Sequence, residues 1–183
     1  MNKPESFSVQ IAGLTRELPL FEVKPGLRIA ILNILGDTEL VQACAKALKK
    51  QLAKVQYDAL VTAEAKSIPL AYALSVETGK PYIVLRKSYK PYMGDALKAE
   101  TLSITTGEPQ TLILDEKDRA LINGRRVVIV DDVISTGSTL AGMRMVMTQA
   151  GAEVAAETAI FTEGERSQWM KIIALGHLPL FTD

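Results

Sequence analysis

The sequence contains a single cysteine, Cys44, and a single histidine, His177. One residue of each type excludes an internal disulfide framework and a zinc cluster built from cysteine and histidine. A Ser-His-Asp triad could use only His177, because the chain has no other histidine. Cys44 lies in a helical pattern of apolar residues, so we predict that it is a small core residue.

The sequence also lacks an excess of charge and a long apolar run. Lysine plus arginine and aspartate plus glutamate number 21 each, which favours neither a nucleic acid nor a membrane surface as a partner. No apolar run approaches the roughly 20 residues of a membrane span, and residues Met1–Ser6 lack the apolar centre of a signal peptide. With 183 residues and 48% hydrophobic content, the chain can form one sizeable core. We therefore expect a single cytoplasmic enzyme domain.

The most informative stretch begins with a buried strand and two carboxylates. Val127–Val130 is a β-branched run without a polar interruption, which predicts a strand buried on both faces. Asp131 and Asp132 follow at its carboxyl end. Their carboxylates can accept hydrogen bonds from vicinal ribose hydroxyls or face a magnesium ion that a ligand carries.

A glycine-containing turn and a helical pattern come next. Within Ser135–Thr139, Gly137 permits a tight turn and a close approach of a ligand to the backbone. Free backbone N–H groups at the start of the helix favour a phosphate there. The strand, the acids, the turn and the helix together predict a site for a phosphorylated sugar. The alternatives are an ordinary strand–helix turn and a nucleotide-hydrolysing P-loop protein, but the chain has no G-x-x-x-x-G-K-[ST] loop.

Val127–Thr139 resembles the phosphoribosyl-diphosphate (PRPP) signature of the type I phosphoribosyltransferases. The shared pattern is four apolar residues, two acids, two apolar residues and a small-Thr-Gly-small-Thr loop. The resemblance implies an α/β fold with an open, mainly parallel twisted sheet flanked by helices. It also implies a small hood from the N- and C-terminal segments and a flexible β-hairpin flap. We accordingly divide the single domain 1–183 into an N-terminal hood region 1–35, a core 36–162 with the flap at about 92–116, and a C-terminal hood segment 163–183.

The resemblance assigns the parts of PRPP to this signature. It implies that the 5-phosphate binds Ser135–Thr139 and that the ribose binds Asp131 and Asp132. Magnesium would arrive with PRPP, near these two acids, and the protein would hold no metal directly.

Two further segments resemble the pyrophosphate-binding parts of the adenine enzymes. Glu64–Ile68 follows a predicted strand at Tyr57–Thr62 and is similar to their acid-Ala-Arg-Gly-Phe pattern, although Lys66 gives up the bidentate fork of arginine. Arg86–Pro91 follows a predicted strand at Pro81–Leu85 and is similar to their Arg-Lys-x-x-Lys-Pro segment. Its cations would stabilise the charge that builds on a departing pyrophosphate. The alternative in both segments is a group of solvated charges.

The implied site residues fall into two sets. Those with a catalytic role are Arg86, Lys87, Asp131 and Asp132. Those that bind PRPP are Glu64, Lys66, Ser67, Arg86, Lys87, Lys90, Asp131, Asp132, Ser135, Thr136, Gly137, Ser138 and Thr139.

A hairpin is predicted between the second and third core strands. Thr101–Thr105 and Thr111–Leu114 flank a turn at Thr106–Gln110. Members of the resembled family fold such a flap over the site and exclude water. We therefore expect Tyr92–Glu116 to be the mobile part of the chain.

The flap departs from the adenine enzymes at one point. Those enzymes carry a glutamate beside a Tyr-Gly pair as a candidate proton donor to the purine, but here Thr105 and Thr106 precede Gly107. The nearby carboxylates are Glu100 and Glu108. The expected general acid is thus missing or moved.

The other elements follow from periodicity and capping. The pattern predicts a helix from Asp37 to near Val55, a helix ending at Thr78 with Gly79 as its cap, and a helix whose core stripe is Leu140, Met143, Val146, Met147 and Ala150. Val154–Thr162 is predicted as the last central strand, Ser167–Leu175 as a short helix and Leu178–Phe181 as a closing strand.

The residues that contact the base are the least determined. The Phe-Arg-Asp segment typical of adenine enzymes is not clearly present, and Phe21 and the corner Asn33–Leu35 are the nearest candidates. Trp169 is a candidate lid or packing residue. For each of these, packing on the core is the alternative.

The resemblance favours a purine phosphoribosyltransferase with adenine as its base, in a homodimer. The hypoxanthine–guanine enzymes carry an aspartate where this chain has Ser135, whereas the xanthine enzymes share a small residue there and are the alternative catalysts. A second alternative is a regulator that senses PRPP without catalysis. The cations of the pyrophosphate segments favour an enzyme, whereas the missing flap glutamate favours the sensor.

Overall fold

A parallel sheet of five strands forms the centre of the fold. A computed structural model describes residues 5–102 and 109–182. In their order across the sheet, the strands are β10 (Ile173–Leu178), β9 (Glu153–Glu163), β8 (Arg126–Ile134), β4 (Ala59–Ala63) and β5 (Tyr82–Leu85). This sheet confirms the predicted type I phosphoribosyltransferase fold class.

The apolar run of β8 packs against both layers that cover the sheet. Val128 and Val130 join one core cluster with the first two helices and the N-terminal strands. Val127 and Ile129 join a second cluster with the last helix and the hairpin. All four side chains are fully buried, as the unbroken β-branched run predicts.

The first helix begins at its predicted cap, and the second helix ends at its predicted cap. The helices of the fold are α1 (Thr38–Gln51), α2 (Ile68–Thr78), α3 (Glu116–Ile122) and α4 (Ser138–Gln149). Asp37 caps α1 by accepting a hydrogen bond of 3.1 Å from the Leu40 amide. Gly79 ends α2 in the left-handed conformation. After α1, a 3-10 turn at Leu52–Lys54 leads to the extended Val55.

Helix α3 has no counterpart among the predicted elements. Asp115 caps it by accepting from the Lys117 amide at 3.1 Å, and Glu116 and Asp118 lie in its first turn. This acidic start is a helix signal that was available in the sequence.

The N-terminal strands form a separate antiparallel sheet, which is the hood. Its order is β1-β2-β3-β11, with β1 (Ser6–Ile11), β2 (Leu14–Lys24), β3 (Leu27–Ala30) and β11 (Phe181–Thr182). Phe181 of β11 pairs with Arg28 of β3. The hood thus takes strands from both terminal segments.

The predicted helix at Ser167–Leu175 is wrong. Arg166–Trp169 forms one turn of 3-10 helix, and the chain then enters β10, which pairs in parallel with β9. Strand β9 is therefore not the last central strand, and Ile173–Leu178, which lies within the segment predicted as hood, belongs to the core sheet. Gly176 permits this pairing, because a Cβ there would lie 2.6 Å from a ring carbon of Phe161. Such a contact between distant parts of the chain leaves no local pattern.

The hairpin consists of β6 (Leu97–Leu102) and β7 (Pro109–Leu114), paired antiparallel. Its base packs on α4, where a Cβ at Gly142 would lie 3.0 Å from Leu112. Ala99, Leu112 and Leu114 are buried in the second core cluster. The base of the predicted flap is therefore part of the core. Residues 103–108, which include the first three residues of the predicted turn Thr106–Gln110, lie outside the described residues. Within the described part of the chain, no helix is both long and apolar enough to cross a membrane.

Candidate active site

A cavity of about 310 Å³ opens at the carboxyl end of β8. This is the edge where open α/β sheets bind ligands. The loop between β8 and α4 forms one wall, the hood segment Ile29–Leu32 forms another, and Asp131, Lys66, Gln110 and Glu163 complete the lining. The structure thus brings one end of the core sheet, the hood and the hairpin base together around one cavity.

The loop Ser135–Thr139 has the geometry of an anion site. Gly137 adopts a positive φ of 77° and is the cap of α4, so it offers no side chain to the first amides of that helix. Thr136 Oγ1 lies 3.2 Å from Ser138 Oγ, and the side chains of Ser135 and Thr136 are exposed. Free amides at a helix start, with hydroxyl groups beside them, suit a phosphate.

The two acids lie inside β8, which extends to Ile134, rather than after the strand as predicted. Asp131 Oδ1 accepts a hydrogen bond of 2.9 Å from the Asp132 amide. Burial raises the pKa of the Asp131 carboxyl well above its ordinary value, and the charge of Asp132 raises it further. The folded chain therefore holds the ionised form of Asp131 at a cost in free energy.

Lys66 is the cation nearest to this acidic pair. Its Nζ lies 3.2 Å from Asp132 Oδ2 and donates a hydrogen bond of 3.0 Å to the carbonyl oxygen of Leu32 in the hood. The side chain is 47% exposed, so it remains open to the cavity. Lys66 therefore places a positive charge between the acids, the loop and the hood.

The two predicted pyrophosphate segments contact each other. Arg86 Nε and the Lys87 amide each donate to Glu64 Oε2 at 2.8 Å. The Lys87 amide and then Arg86 hold the pKa of Glu64 below its ordinary value against the opposing effect of burial. The Lys87 and Lys90 side chains are exposed. Glu64 therefore joins the loop after β4 to the cationic segment after β5.

Ser67 has its hydroxyl inside the protein. Its Oγ donates to the Ala63 carbonyl oxygen at 3.0 Å and lies 2.7 Å from Thr62 Oγ1. The residue is only 2% exposed. Ser67 can therefore offer a ligand its backbone but not its side chain.

The predicted site residues thus form two groups. Lys66, Asp131 and the loop Ser135–Thr139 line the cavity, and Asp132 contacts Lys66 without lining it. Glu64, Arg86 and Lys87 form a neighbouring cluster that is not part of the cavity lining, and Lys90 lies exposed beyond it.

Sequence reasoning missed Glu163 and left Trp169 open. Glu163 ends β9, is only 4% exposed and lines the cavity together with Ser135. Trp169 donates from its Nε1 to the Glu163 carbonyl oxygen at 2.8 Å, and its ring covers Gly137. The position of Glu163 at the carboxyl end of a core strand was the available signal.

The candidates for contacting the base are not brought into the cavity. Phe21 is 60% exposed on the hood, and Asn33 turns its side-chain oxygen to the Leu35 amide at 3.2 Å. The hood instead lines the cavity with Ile29–Leu32.

Residues 31–173 match the phosphoribosyl transferase domain family. The chain belongs to this family. An adenine phosphoribosyltransferase of Acetivibrio thermocellus is 35% identical over 146 residues, which cover 76% of this chain and 79% of that protein. A hypoxanthine/guanine phosphoribosyltransferase of Methanococcus voltae is 36% identical over 116 residues, which cover 63% of this chain. A purine biosynthesis transcriptional repressor of Bacillus subtilis is 29% identical over 133 residues, which cover 73% of this chain.

The matches cover different shares of the relatives, and the fold is similar to that of a solved structure. The match spans 58% of the Methanococcus protein and 46% of the repressor. The fold is similar to that of an adenine phosphoribosyltransferase of Thermoanaerobacter pseudethanolicus, with a TM-score of 0.72 at 21% identity, over 87% of this chain and 95% of that one. Family and fold are as predicted, whereas the relatives' names divide between two purine specificities and a regulator.

Proposed function

We propose that this chain is a purine phosphoribosyltransferase that transfers the 5-phosphoribosyl group of PRPP to a purine base, releasing pyrophosphate. The observation that carries the proposal is the cavity at the end of β8, which is lined by a helix start without a side-chain cap, by Asp131 and by Lys66, the cation that contacts Asp132. The helix start suits a phosphate, the carboxylate suits a pair of ribose hydroxyls, and the cation suits a diphosphate.

The loop Ser135–Thr139 would bind the 5-phosphate through its backbone amides and hydroxyls. Asp131 would accept hydrogen bonds from the ribose hydroxyls, while Asp132 is turned to Lys66. Lys66 would then meet the first phosphate of the pyrophosphate, beside the reacting carbon.

Arg86, Lys87 and Lys90 would act on the far end of the pyrophosphate. Arg86 is held by Glu64, whereas the exposed Lys87 and Lys90 side chains can reach toward a ligand. Cations placed there stabilise the charge that grows as the bond to C1 breaks. Positioning and electrostatics would therefore account for most of the rate enhancement.

Magnesium fits this site as an ion that PRPP carries. Among the described residues, no three Asp, Glu, His or Cys side chains are grouped so that they could hold a metal. Mg²⁺ commonly uses one or two carboxylates together with phosphate oxygens and water. Asp131 and Asp132 could supply those carboxylates, and the ion would screen the charge of the diphosphate.

For the base we propose adenine. The support is the residue pattern: Glu64–Ile68 and Arg86–Pro91 are similar to the adenine enzymes, and Ser135 replaces the aspartate of the hypoxanthine–guanine enzymes. The Acetivibrio relative is named an adenine phosphoribosyltransferase, and the match covers 79% of that protein. Hypoxanthine or guanine is the second candidate because of the Methanococcus relative. Xanthine, the homodimer and the cytoplasmic location stay predictions.

A PRPP sensor is the non-catalytic candidate, since the match to the repressor covers 73% of this chain. The expected flap positions Thr105 and Thr106 lie outside the described residues and do not decide between sensor and enzyme.

The deciding experiment is release of pyrophosphate from PRPP and Mg²⁺ with adenine, hypoxanthine, guanine and xanthine in parallel. We expect turnover with adenine. Turnover with another base alone would overturn the base assignment. No turnover with any base, together with PRPP binding by calorimetry, would replace the enzyme by a sensor.

Lys87→Glu tests the pyrophosphate assignment. We expect kcat to fall by roughly 10- to 100-fold, because a placed cation contributes a few kcal/mol to a developing charge, while the Kd for ribose 5-phosphate stays unchanged. Steady-state kinetics and calorimetry measure the two quantities. Lys54→Glu, which reverses an exposed lysine after α1, is the matched control. Equal losses in kcat and in ribose 5-phosphate binding would refute the assignment.

A further inference from the structure

Glu163 is a buried carboxyl at the cavity that the assignments above do not use. It ends β9 beside the carboxyl end of β8, and it is 4% exposed. A buried acid has to be hydrogen-bonded or given a function. Ser135, the first residue of the phosphate loop, lines the same cavity, and its hydroxyl lowers the pKa of Glu163 against the larger effect of burial.

The surroundings of Glu163 keep it in one place. The Trp169 indole donates to its carbonyl oxygen at 2.8 Å, so the backbone at the strand end is fixed. On the neighbouring strand β10, His177 places Nδ1 2.9 Å from Thr162 Oγ1 and donates from Nε2 to the Gly164 carbonyl oxygen at 3.1 Å. The residues on both sides of Glu163 are thus fastened to β10.

The cavity leaves one region for the base. If the loop holds the 5-phosphate and Asp131 the ribose, the rest of the lining includes the apolar hood segment Ile29–Leu32 and the carboxyl of Glu163. A flat, largely apolar base with N–H groups at its edge fits between an apolar strand and a carboxyl.

We propose that Glu163 faces the purine base and accepts its proton during transfer. In this step a ring nitrogen of the purine attacks C1 of the ribose, and the C1–O bond to pyrophosphate breaks. The electron pair of that bond leaves on the pyrophosphate oxygen. The proton of the purine ring N–H passes to the Glu163 carboxylate and from there to water. The inference rests on the proposed function and deepens it.

Glu163 would supply a carboxyl group, which this chain lacks at two positions where related enzymes carry one. Ser135 stands where the hypoxanthine–guanine enzymes carry an aspartate, and threonines stand at the flap positions of the adenine enzymes' glutamate. Glu163 lines the same cavity as Ser135 and comes from the neighbouring strand, so a carboxyl is present in the region of that aspartate although it comes from a different element. Burial raises the pKa of Glu163, which strengthens it as a proton acceptor, while the Ser135 hydrogen bond and the charge of His177 act in the opposite direction.

Glu163→Gln tests the inference with little change in shape. We expect kcat to fall by about 100-fold or more, in the range that general acid–base groups contribute, with an unchanged Kd for PRPP. Glu165→Gln, at an exposed glutamate two residues away, is the matched control and should keep kcat. Adding Ser135→Asp to Glu163→Gln should restore part of kcat, because it returns a carboxylate to the same region.

The pH profile separates a proton acceptor from a packing residue. The fall of kcat toward acid pH that stems from Glu163 should disappear in Glu163→Gln. Other ionisable groups face the same region, namely Asp131 on β8, Lys66 in the cavity lining and His177 on β10. The pH profile of Glu163→Gln is therefore compared with that of the wild type. Loss of kcat with an unchanged profile, or an equal loss in PRPP binding, would overturn the inference.

If Glu163→Gln does not fold, Glu163→Asp serves instead, and its kcat should lie well below that of the wild type with the acid limb retained.

These outcomes are distinct from failure of the proposed function. A wild-type protein inactive with all four bases refutes the enzyme. A wild-type protein that turns over a base, with a Glu163→Gln variant that is just as active, refutes the role of Glu163 alone.

Discussion

Asp131→Asn is expected to stabilise the folded protein at neutral pH while it weakens PRPP binding. Asparagine keeps the oxygen that accepts the Asp132 amide at 2.9 Å, and it removes a charge that burial and Asp132 both disfavour. We expect a gain in the free energy of unfolding of about 1 to 3 kcal/mol, the scale on which an uncompensated buried polar group acts in proteins. The Kd for PRPP should rise by roughly 10- to 100-fold, because hydrogen bonds to a charged acceptor contribute about 1.5 to 3 kcal/mol.

The stabilisation has a definite pH dependence. The carboxyl of Asp131 has an ordinary pKa of 3.8 and a raised pKa in the folded chain, so ionisation costs the folded state free energy at any pH above the raised value. As the pH falls through that raised value toward 3.8, the folded wild type takes up its proton and the cost disappears. Urea unfolding of both proteins at a series of pH values should therefore show their difference shrinking toward acid pH. A difference that grows toward acid pH would contradict the raised pKa.

Asp132→Asn is the matched comparison on the neighbouring residue. It also removes a carboxylate from the pair, but it gives up the contact of 3.2 Å with Lys66. We expect a smaller gain in unfolding free energy than for Asp131→Asn. If Asp131→Asn instead left PRPP binding unchanged, the ribose would lie elsewhere.

The parts of the fold that local patterns encode could be predicted. The β-branched run of β8 must be buried on both faces wherever it lies in the sheet, and Asp37 and Gly79 carry their capping chemistry within one helical turn. The loop Ser135–Thr139 was predictable for the same reason, since its turn, its glycine and the following helix are contiguous in the chain.

The parts that depend on contacts between distant residues could not be predicted. Strand β10 exists because Gly176 admits the ring of Phe161 and Thr158 donates to the Ile173 carbonyl oxygen at 2.6 Å. In isolation the same residues suit a helix as well. The pairing of Arg86 with Glu64 depends in the same way on the order of β4 and β5 in the sheet.

The shape of the candidate site belongs to this second class. The sequence pattern identified Glu163 only as a residue at the end of a strand. Its place in the site follows from the pairing of β8 with β9, because Glu163 and Ser135 then line the same cavity. Trp169 reaches the phosphate loop because the 3-10 turn Arg166–Trp169 folds back over Gly137. A residue's distance from a site along the sequence is therefore a poor guide to its place in that site.

Gly137→Ala is expected to damage both the stability and the phosphate site. Gly137 has a φ of 77°, and an added Cβ would lie 2.9 Å from Cη2 of Trp169. Both the left-handed conformation and the contact disfavour alanine, so we expect a loss of about 1 to 3 kcal/mol in unfolding free energy, as for other strained backbone positions. Because relief of the contact must move either the loop or the indole, the Kd for ribose 5-phosphate should rise by about tenfold or more, on the scale at which a small misplacement acts in a preorganised site.

Gly79→Ala separates the two causes. Gly79 has a similar positive φ of 68°, but a Cβ there meets nothing within 4 Å, so alanine adds backbone strain without a collision. We expect Gly79→Ala to lose less stability than Gly137→Ala and to bind ribose 5-phosphate normally in calorimetry. Trp169→Phe, combined with Gly137→Ala, should recover part of the lost affinity, because the smaller ring leaves room for the methyl group. If Gly137→Ala bound ribose 5-phosphate as tightly as the wild type, the phosphate could not lie against the backbone of this turn, and the position of PRPP in the cavity would have to be reversed.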